Sequence, residues 1–501
     1  MKLFFYSIIT IITLYNIFIG TTLVRNNEVT FFSDIARDFL LLQELDEKKI
    51  VLIGPRSSTN GLFHGPLWTY INYPAYILGQ GNPIAVAWFW NGLGVVFLVT
   101  SFFIIKKMFG TLPAATFALL VSAKMAPNIN HVFHAEAAFF FTPLFFFAIY
   151  MYVKSSKNIY LALHLLATTI IIQLEIGVGI QFLALSSLVI FWFIVKNKLW
   201  KHLLTLSLIP IFLSNFILFD FNNNFRMATA LLSTGTSSKF FVTLSSWVEN
   251  RINNAISLQL VDNPNNLFTI AVFAIVIFFS ILLIKNKSKY RYAYLLFLFY
   301  YFGYLIMSFF NKGILLYHYT YLLIPITFLW LVSFLATRYR NFFIPLILII
   351  FALNLQNAQS YINSRLSSVM GKDYNSWRSL SAVASEVIAL QKGQEFGYFV
   401  FAPDALAYQP RYAMLYNFKK SNAKAFEYIK RSTTYVIAAP PPADDPYMTY
   451  EWWSKVPVGI SSKPVETKKF PSGFTVVKYN LSSEEQKIPH DKAIELGIHF
   501  R

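Results

Sequence analysis

The sequence predicts a polytopic α-helical membrane protein with a small α/β domain at its C-terminal end. Three observations carry that prediction. The chain of 501 residues is 56% hydrophobic and 18% aromatic, and only 13% of it is charged; an ordinary soluble domain carries roughly a quarter charged residues. Long apolar runs alternate with short polar connectors as far as residue 358, the pattern of repeated membrane crossings. Beyond residue 360 the runs become short and strand-like, at "FGYFVFA", "TTYVIAAPPP" and "FTVVKYNL".

About eleven spans are expected, at 3–24, 84–105, 108–126, 135–153, 158–174, 176–195, 203–220, 267–284, 292–310, 314–336 and 341–358, each near the length a helix needs to cross the hydrocarbon core. The first opens Met-Lys but lacks a small-residue cleavage site, so it reads as a signal anchor. The transmembrane module is expected over 1–359. The tail, 360–501, is expected to form the α/β domain, with helices around 374–392 and 421–431.

Basic residues set the sidedness. Lys2 places the N-terminus inside, and every second connector is then basic. These connectors carry Lys106 and Lys107, Lys154 and Lys157, Lys196 to Lys201, Lys285 to Arg291, and Arg338 with Arg340. An odd number of spans leaves the tail outside, in a multi-pass protein of the plasma membrane. The net charge of +18 is accounted for by these clusters and by contacts to anionic headgroups. A nucleic-acid partner is therefore not expected. The chain has no cysteine, which excludes disulfides and thiolate metal sites. No phosphate-binding Walker loop, Rossmann glycine fingerprint or H-E-x-x-H motif occurs.

Two outer loops are long, 25–83 and 221–266, and function concentrates in such loops. The first contains "FFSDIARDFLLLQEL". Ser33 or Asp34 can cap a helix there, Asp34 and Asp38 share a face, and Arg37 reaches Asp34 at i,i+3. Further along, 62–79 is apolar but broken by Pro66 and Pro74, which suits an interfacial or re-entrant segment.

A second connector reads "APNINHVFHAEAAFF". On one helix His131 and His134 would share a face, as a metal pair does, with Glu136 about 200° round from His134. The alternatives are interfacial polar residues, with Glu136 favoured by the helix dipole, or part of a substrate pocket. Glu175 interrupts an apolar run and reads as a short outer turn, or as a cavity-lining acid. Outer-face cations are Arg25, Arg37, Arg56, Lys124, Arg226, Lys239, Arg251 and Lys312; Arg226 can meet a phosphate at headgroup depth. His64, within "GLFHGPLW", and His318, between Tyr317 and Tyr319, are further pocket candidates.

Together these features resemble the GT-C superfamily of integral membrane glycosyltransferases, in the branch of protein O-mannosyltransferases and lipid A aminoarabinose transferases. The resemblance spans residues 1–358. It rests on the N-terminal span, the acidic first loop with "GPLWTY", and echoes at "ILFDFNNNFRMATALL" and "YHYTYLLIPI". It implies transfer of a sugar from a polyprenyl phosphate to a glycan, lipid or protein acceptor on the outer face, usually with inversion. A first-loop carboxylate acts as general base in the family, and Asp34 falls on that position. Many relatives follow it with Glu. Here Ile35 follows, so Asp38 or Glu136 is left to supply a second acid. No cofactor is expected, and the sparse ligand set does not indicate a metal. The competing expectation is a transporter or flippase of a lipid-linked glycan, which would put ionisable residues near mid-membrane.

Overall fold

In a computed structural model the chain is described over residues 2–233, 243–262, 266–310, 314–368, 373–391, 393–404 and 406–498. Lys239 and Lys312, two of the expected outer cations, lie outside the described residues.

All eleven apolar segments fold as helices, as backbone groups in lipid must bond within their own segment. The chain opens with α1 (Lys2–Gly20) and a short turn α2 (Thr22–Arg25). The first long loop folds into α3 (Ser33–Lys48) and α4 (Leu67–Leu78), and the bundle continues with α5 (Pro83–Phe109) and α6 (Thr111–Met125). Among the described residues six helices are long and apolar enough to cross a membrane. They are α5 and those over His134–Ser155, Ile176–Asn197, Leu267–Lys285, Tyr317–Ala336 and Arg340–Ser367. A seventh is obtained when Trp200–Phe212 and Ser214–Asn222, bent by 54°, count as one span. The remaining expected spans fall short for identifiable reasons. Apolar stretches at Tyr6–Gly20, Thr111–Met125 and Asn158–Leu174 are 10–17 residues long. The helix Arg291–Ser308 is diluted by five tyrosines, of which Tyr294, Tyr300, Tyr301 and Tyr304 are buried. The chain is a multi-pass membrane protein.

Two of the expected outer cations are consumed by packing. Lys124 is buried and donates to Asp262 Oδ1 at 2.6 Å and to the Leu258 carbonyl at 2.9 Å, tying the second long loop to α6. Arg251 is fully buried over the Trp247 ring, 4.5 Å from its centroid, and donates to the Ser308 carbonyl.

The C-terminal region is a five-stranded mixed sheet of order β2-β1-β3-β5-β4. Its strands are β1 (Phe396–Phe401), β2 (Ala425–Glu427), β3 (Thr433–Ala438), β4 (Glu466–Lys469) and β5 (Thr475–Asn480). β1 runs parallel to β2 and β3, while β5 is antiparallel to β3 and β4. Every residue of β1 is buried, because helices cover the central strands. The helix expected around 374–392 is Trp377–Gln391. The one expected at 421–431 is displaced to Tyr408–Ser421. Asn422 takes a left-handed conformation (φ 53°) that ends this helix, and the chain then enters the edge strand β2. The last long bundle helix continues through residue 360 to Ser368, so the expected boundary at 359/360 falls inside it.

This domain is clasped to the first loop. Thr30 bridges Ser376 in antiparallel fashion, Phe31 N–H donates to the Asn375 carbonyl at 2.7 Å, and Ser376 Oγ donates to Glu28. Behind the clasp Phe31, Phe39, Trp377 and Tyr412 pack edge to face, with centroids 5.0–5.4 Å apart along Trp377–Phe31–Phe39 and Phe39–Tyr412. The position of α3 is thereby fixed from both sides, by the bundle below and the sheet domain above.

Candidate active site at one end of the bundle

The helix α3 begins at Ser33 with no side-chain cap. The capping expected of Ser33 or Asp34 does not occur. Ser33 Oγ turns instead to the Asp404 carboxylate of the C-terminal domain, and Asp34 lies in the first helical turn, where the helix dipole favours an anion. The expected i,i+3 pair is present, with Arg37 Nη1 2.9 Å from Asp34 Oδ1. Arg37 also approaches Asp38, Nη2 to Oδ1, at 3.5 Å. One buried guanidinium thus bridges the two acids of "SDIARDFL". They differ sharply in environment: the Asp34 side chain is 47% exposed and that of Asp38 is 0% exposed.

Asp38 is held further by the start of the helix His134–Ser155. Its Oδ2 lies 2.7 Å from His134 Nδ1 and accepts the His134 backbone N–H at 3.3 Å. Burial pushes the Asp38 carboxyl up to about 7, against the opposing pull of Arg37 and the His134 N–H. His134 packs against His64, ring centroids 4.6 Å apart. His64 Nδ1 in turn accepts the Ile176 N–H at 3.4 Å and lies 3.9 Å from Glu175 Oε1. Burial, with His134, Arg37 and His318 nearby, holds the His64 imidazole well below its usual range, so it is neutral near pH 7. The Glu175 carboxyl, in the connector between two helices, is pushed up to about 8 by burial.

The outcome for the predicted residues is mixed. Asp34, Arg37, Asp38, His64 and His134 come together in one cluster. His318 joins it across Phe133, whose ring centroid lies 5.6 Å from its own, with Phe133 4.5 Å from His134. His131 and Glu136 form a neighbouring pair, Nδ1 to Oε1 3.5 Å, beside Phe32. Glu136 shares a helix with His134, but His131 does not share a face with His134 as the expected metal pair would, because the helix begins at His134 and His131 lies in the extended stretch before it. Arg226 stands apart. Exposed itself, it opens the helix Arg226–Ser233, which is capped by Asp220 and buries Met227 and Ala230 against Leu62 and Phe63, and it places its guanidinium 5.5 Å from the Phe63 ring centroid, next to His64 in sequence.

Glu175 lies in the short break between two helices, as the turn reading expects, and its side chain points into the interior. It is buried, and with His64 and His134 it offers three ligand atoms within 4.8 Å of one another. The trio can hold a divalent cation. Metal-bound imidazoles commonly donate their second N–H to a carboxylate, as Asp38 is positioned to accept from His134. The only sequence signal for Glu175 was an acid inside an apolar run. Tyr319 and Ser58, hydroxyls 3.3 Å apart, close the rim, and no local signal in the sequence links them.

An apolar cavity of about 640 Å³ begins one helical turn below His134. Ala137, Trp68, Asn72 and Trp90 line its inner part, and Val96 and Phe103 of α5 its outer part. Val96 and Phe103 are 57% and 62% exposed, so the cavity opens onto the apolar flank of the bundle. An ionisable cluster at a helix end, a lipid-accessible cavity beside it and a sheet domain clamped above make one architecture.

The backbone fold recurs in solved structures over nearly the whole chain. ArnT from Cupriavidus metallidurans in the apo state aligns with a TM-score of 0.60 at 10% identity, covering 96% of this chain and 99% of that one. The same ArnT bound to undecaprenyl phosphate aligns at 0.59 and 11% identity, covering 95% and 98%. The chain has the GT-C fold. No family model and no curated protein sequence matches it. At this identity the likeness is one of backbone path, so the side-chain chemistry of this chain is read from its own residues.

Proposed function

We propose that the chain is a membrane glycosyltransferase that moves a sugar from a polyprenyl-phosphate donor to an acceptor hydroxyl on the extracytoplasmic face, with inversion. In this reading all eleven apolar helices cross or enter the bilayer, the active site and the sheet domain lie outside the cytoplasm, and the protein resides in the plasma membrane. The transmembrane module ends with the helix Arg340–Ser368, and the extracytoplasmic domain follows it.

One observation carries the reading. Asp34 is the acid of the cluster that solvent reaches, Arg37 holds it at 2.9 Å, and the cavity open to the lipid flank begins one turn beyond His134, at the other end of the same chain of contacts. A half-exposed, positioned carboxylate suits a general base, since a sugar or lipid hydroxyl is a poor nucleophile until its proton is taken. In the step, the acceptor O–H proton passes to Asp34. The oxygen bonds to the anomeric carbon as the bond from that carbon to the phosphate oxygen breaks. The electron pair leaves with the lipid phosphate. Asp38, locked between Arg37 and His134, positions Arg37, and His64, His134 and His318 line the sugar's side of the site. Arg226 and the outer rim meet the departing phosphate, whose charge needs cationic or hydrogen-bonding partners. Glu136, paired with His131, serves as the second acid on the acceptor side.

Further support comes from the lipid carrier in the structural neighbour. ArnT is seen bound to undecaprenyl phosphate, and the cavity below His134 is of the right chemistry for such a chain. The test is transfer of sugar from a polyprenyl-phosphate donor by the purified protein in nanodiscs. Turnover that Asp34→Asn abolishes supports the reading; the absence of turnover with every polyprenyl-phosphate sugar removes it.

A further inference from the structure

A second cavity, of about 420 Å³, opens twelve residues along α3 from Asp34. At 1.5 Å per residue it is about 18 Å from the proposed base. It uses none of the residues of the cluster. One wall is the first loop, through Gln43 and Asp46 of α3 and Tyr76, Gln80 and Gly81 at the end of α4. The other is the helix Tyr408–Ser421 of the sheet domain, through Tyr412, Tyr416, Lys419 and Lys420. Small-molecule sites favour such seams between two parts of a fold.

Three tyrosines converge on its floor. Tyr412 donates to the Gly81 carbonyl at 2.6 Å. Gly81 has φ +82°, and a Cβ there would stand 3.4 Å from the Tyr412 hydroxyl, 3.4 Å from Tyr416 Cδ2 and 3.5 Å from the Tyr76 hydroxyl. The floor is therefore fixed, with ring faces and edges supplied at no cost in side-chain freedom.

The electrostatics of the walls narrow the ligand. Lys48 pairs with Glu44 at 2.7 Å, Lys49 with Asp46 at 3.0 Å, and Lys419 lies 3.9 Å from Asp46. Lys420 stands 6.0 Å from the Tyr416 ring centroid. Lys49 and Lys419 share the Asp46 carboxylate, and Glu47 accepts from Gln43 at 3.1 Å; three carboxylates thus stand among four ammoniums, and the cleft has little net charge with which to select a polyanion. Its polar lining of amides, carboxylate and tyrosine hydroxyls does not suit a lipid chain either. Amide and carboxylate edges beside aromatic faces match a ligand with a rim of hydroxyls and a C–H face.

We propose that this cleft binds a neutral saccharide, the portion of an acceptor glycan remote from the reacting hydroxyl. The inference deepens the transferase reading and rests on it: Asp46 lies about a third of a turn round α3 from Asp34, so a glycan that winds round α3 by that amount would present its end to Asp34 while the sheet domain holds its body.

The test is saturation-transfer NMR on the full chain in nanodiscs, with maltotetraose, mannotetraose and chitotetraose as probes. At least one probe is expected to receive saturation from the wild type and equally from Asp34→Asn. The signal is expected to fall at least tenfold in Gln43→Trp, which fills the cleft, and in Tyr416→Ala. If Gln43→Trp does not fold, Tyr416→Ala and the rim variant Gln80→Ala carry the comparison. The proposal is overturned if no probe binds, if binding survives in the cleft variants, or if Asp34→Asn abolishes it. Sugar transfer is measured separately. Turnover without saccharide binding rejects the cleft and leaves the transferase, whereas binding without turnover keeps the cleft and removes the transferase.

Discussion

Asp38 Oδ2 and His134 Nδ1 lie 2.7 Å apart in the interior, with Asp38 wholly shielded from solvent and His134 3% exposed. Removing the imidazole leaves Asp38 with Arg37 and the His134 backbone N–H; losing one hydrogen-bond partner of a buried charged group costs about 1–3 kcal/mol, and the cavity left by a buried ring adds to it. His134→Ala is therefore expected to lower stability by about 3 kcal/mol or more in thermal unfolding in detergent. Asp34→Asn, at the half-exposed end of the same chain of contacts, is expected to stay within about 1 kcal/mol of wild type. Equal losses in the two variants would contradict the assignment of Asp38–His134 as the structural pair.

A pH dependence follows from Asp38. Its carboxyl is raised to about 7 in the folded protein by burial, against about 3.9 in an unfolded chain. The folded state therefore holds this proton more tightly, and the contribution to stability is full below about pH 4 and is lost as pH rises to about 7. The difference in unfolding temperature between wild type and Asp38→Asn should accordingly change across that window and level off above it. His64, depressed by burial, acts in the opposite direction but is common to both proteins. A difference that is flat from pH 4 to 7.5 would show that Asp38 does not titrate as placed.

Arg226 is exposed at the start of its helix, its guanidinium over Phe63 in the loop that carries His64. Arg226→Ala is expected to remove one charge-assisted contact to the donor phosphate, worth about 1.5–3 kcal/mol. The loss should be seen as a rise of about ten- to a hundredfold in KM for the lipid donor, with the acceptor KM unchanged. Unaltered donor kinetics would take Arg226 out of the site.

Much of this was legible in the sequence, for local reasons. Each apolar segment became a helix because lipid leaves the backbone no other partner, and Arg37 met Asp34 because i,i+3 positions face each other. The bend at Ser214 and the brevity of α6 depend on packing against neighbours, so the count of full-length spans did not follow from hydropathy. Long-range partners were hidden for the same reason. Ser33 finds Asp404 371 residues away, and His64 meets the Ile176 N–H 112 residues on. Nothing near Glu175 in sequence announces the two imidazoles beside it. His131 and His134 went astray because the residues before His134 form a turn and an extended stretch, which breaks the helical spacing assumed for them.

The central claim is that Asp34 takes the acceptor proton while Asp38 only holds Arg37 in place. The most direct measurement is the rate of sugar transfer from a polyprenyl-phosphate donor in nanodiscs by wild type, Asp34→Asn and Asp38→Asn, each first shown to be folded. Loss of a general base costs about 10²–10⁴ in rate. The account predicts a kcat reduced by that amount in Asp34→Asn with the donor KM little changed, and a smaller loss in Asp38→Asn. Near-normal turnover by Asp34→Asn would contradict it and return the acids of "SDIARDFL" to a helix end with a surface ion pair.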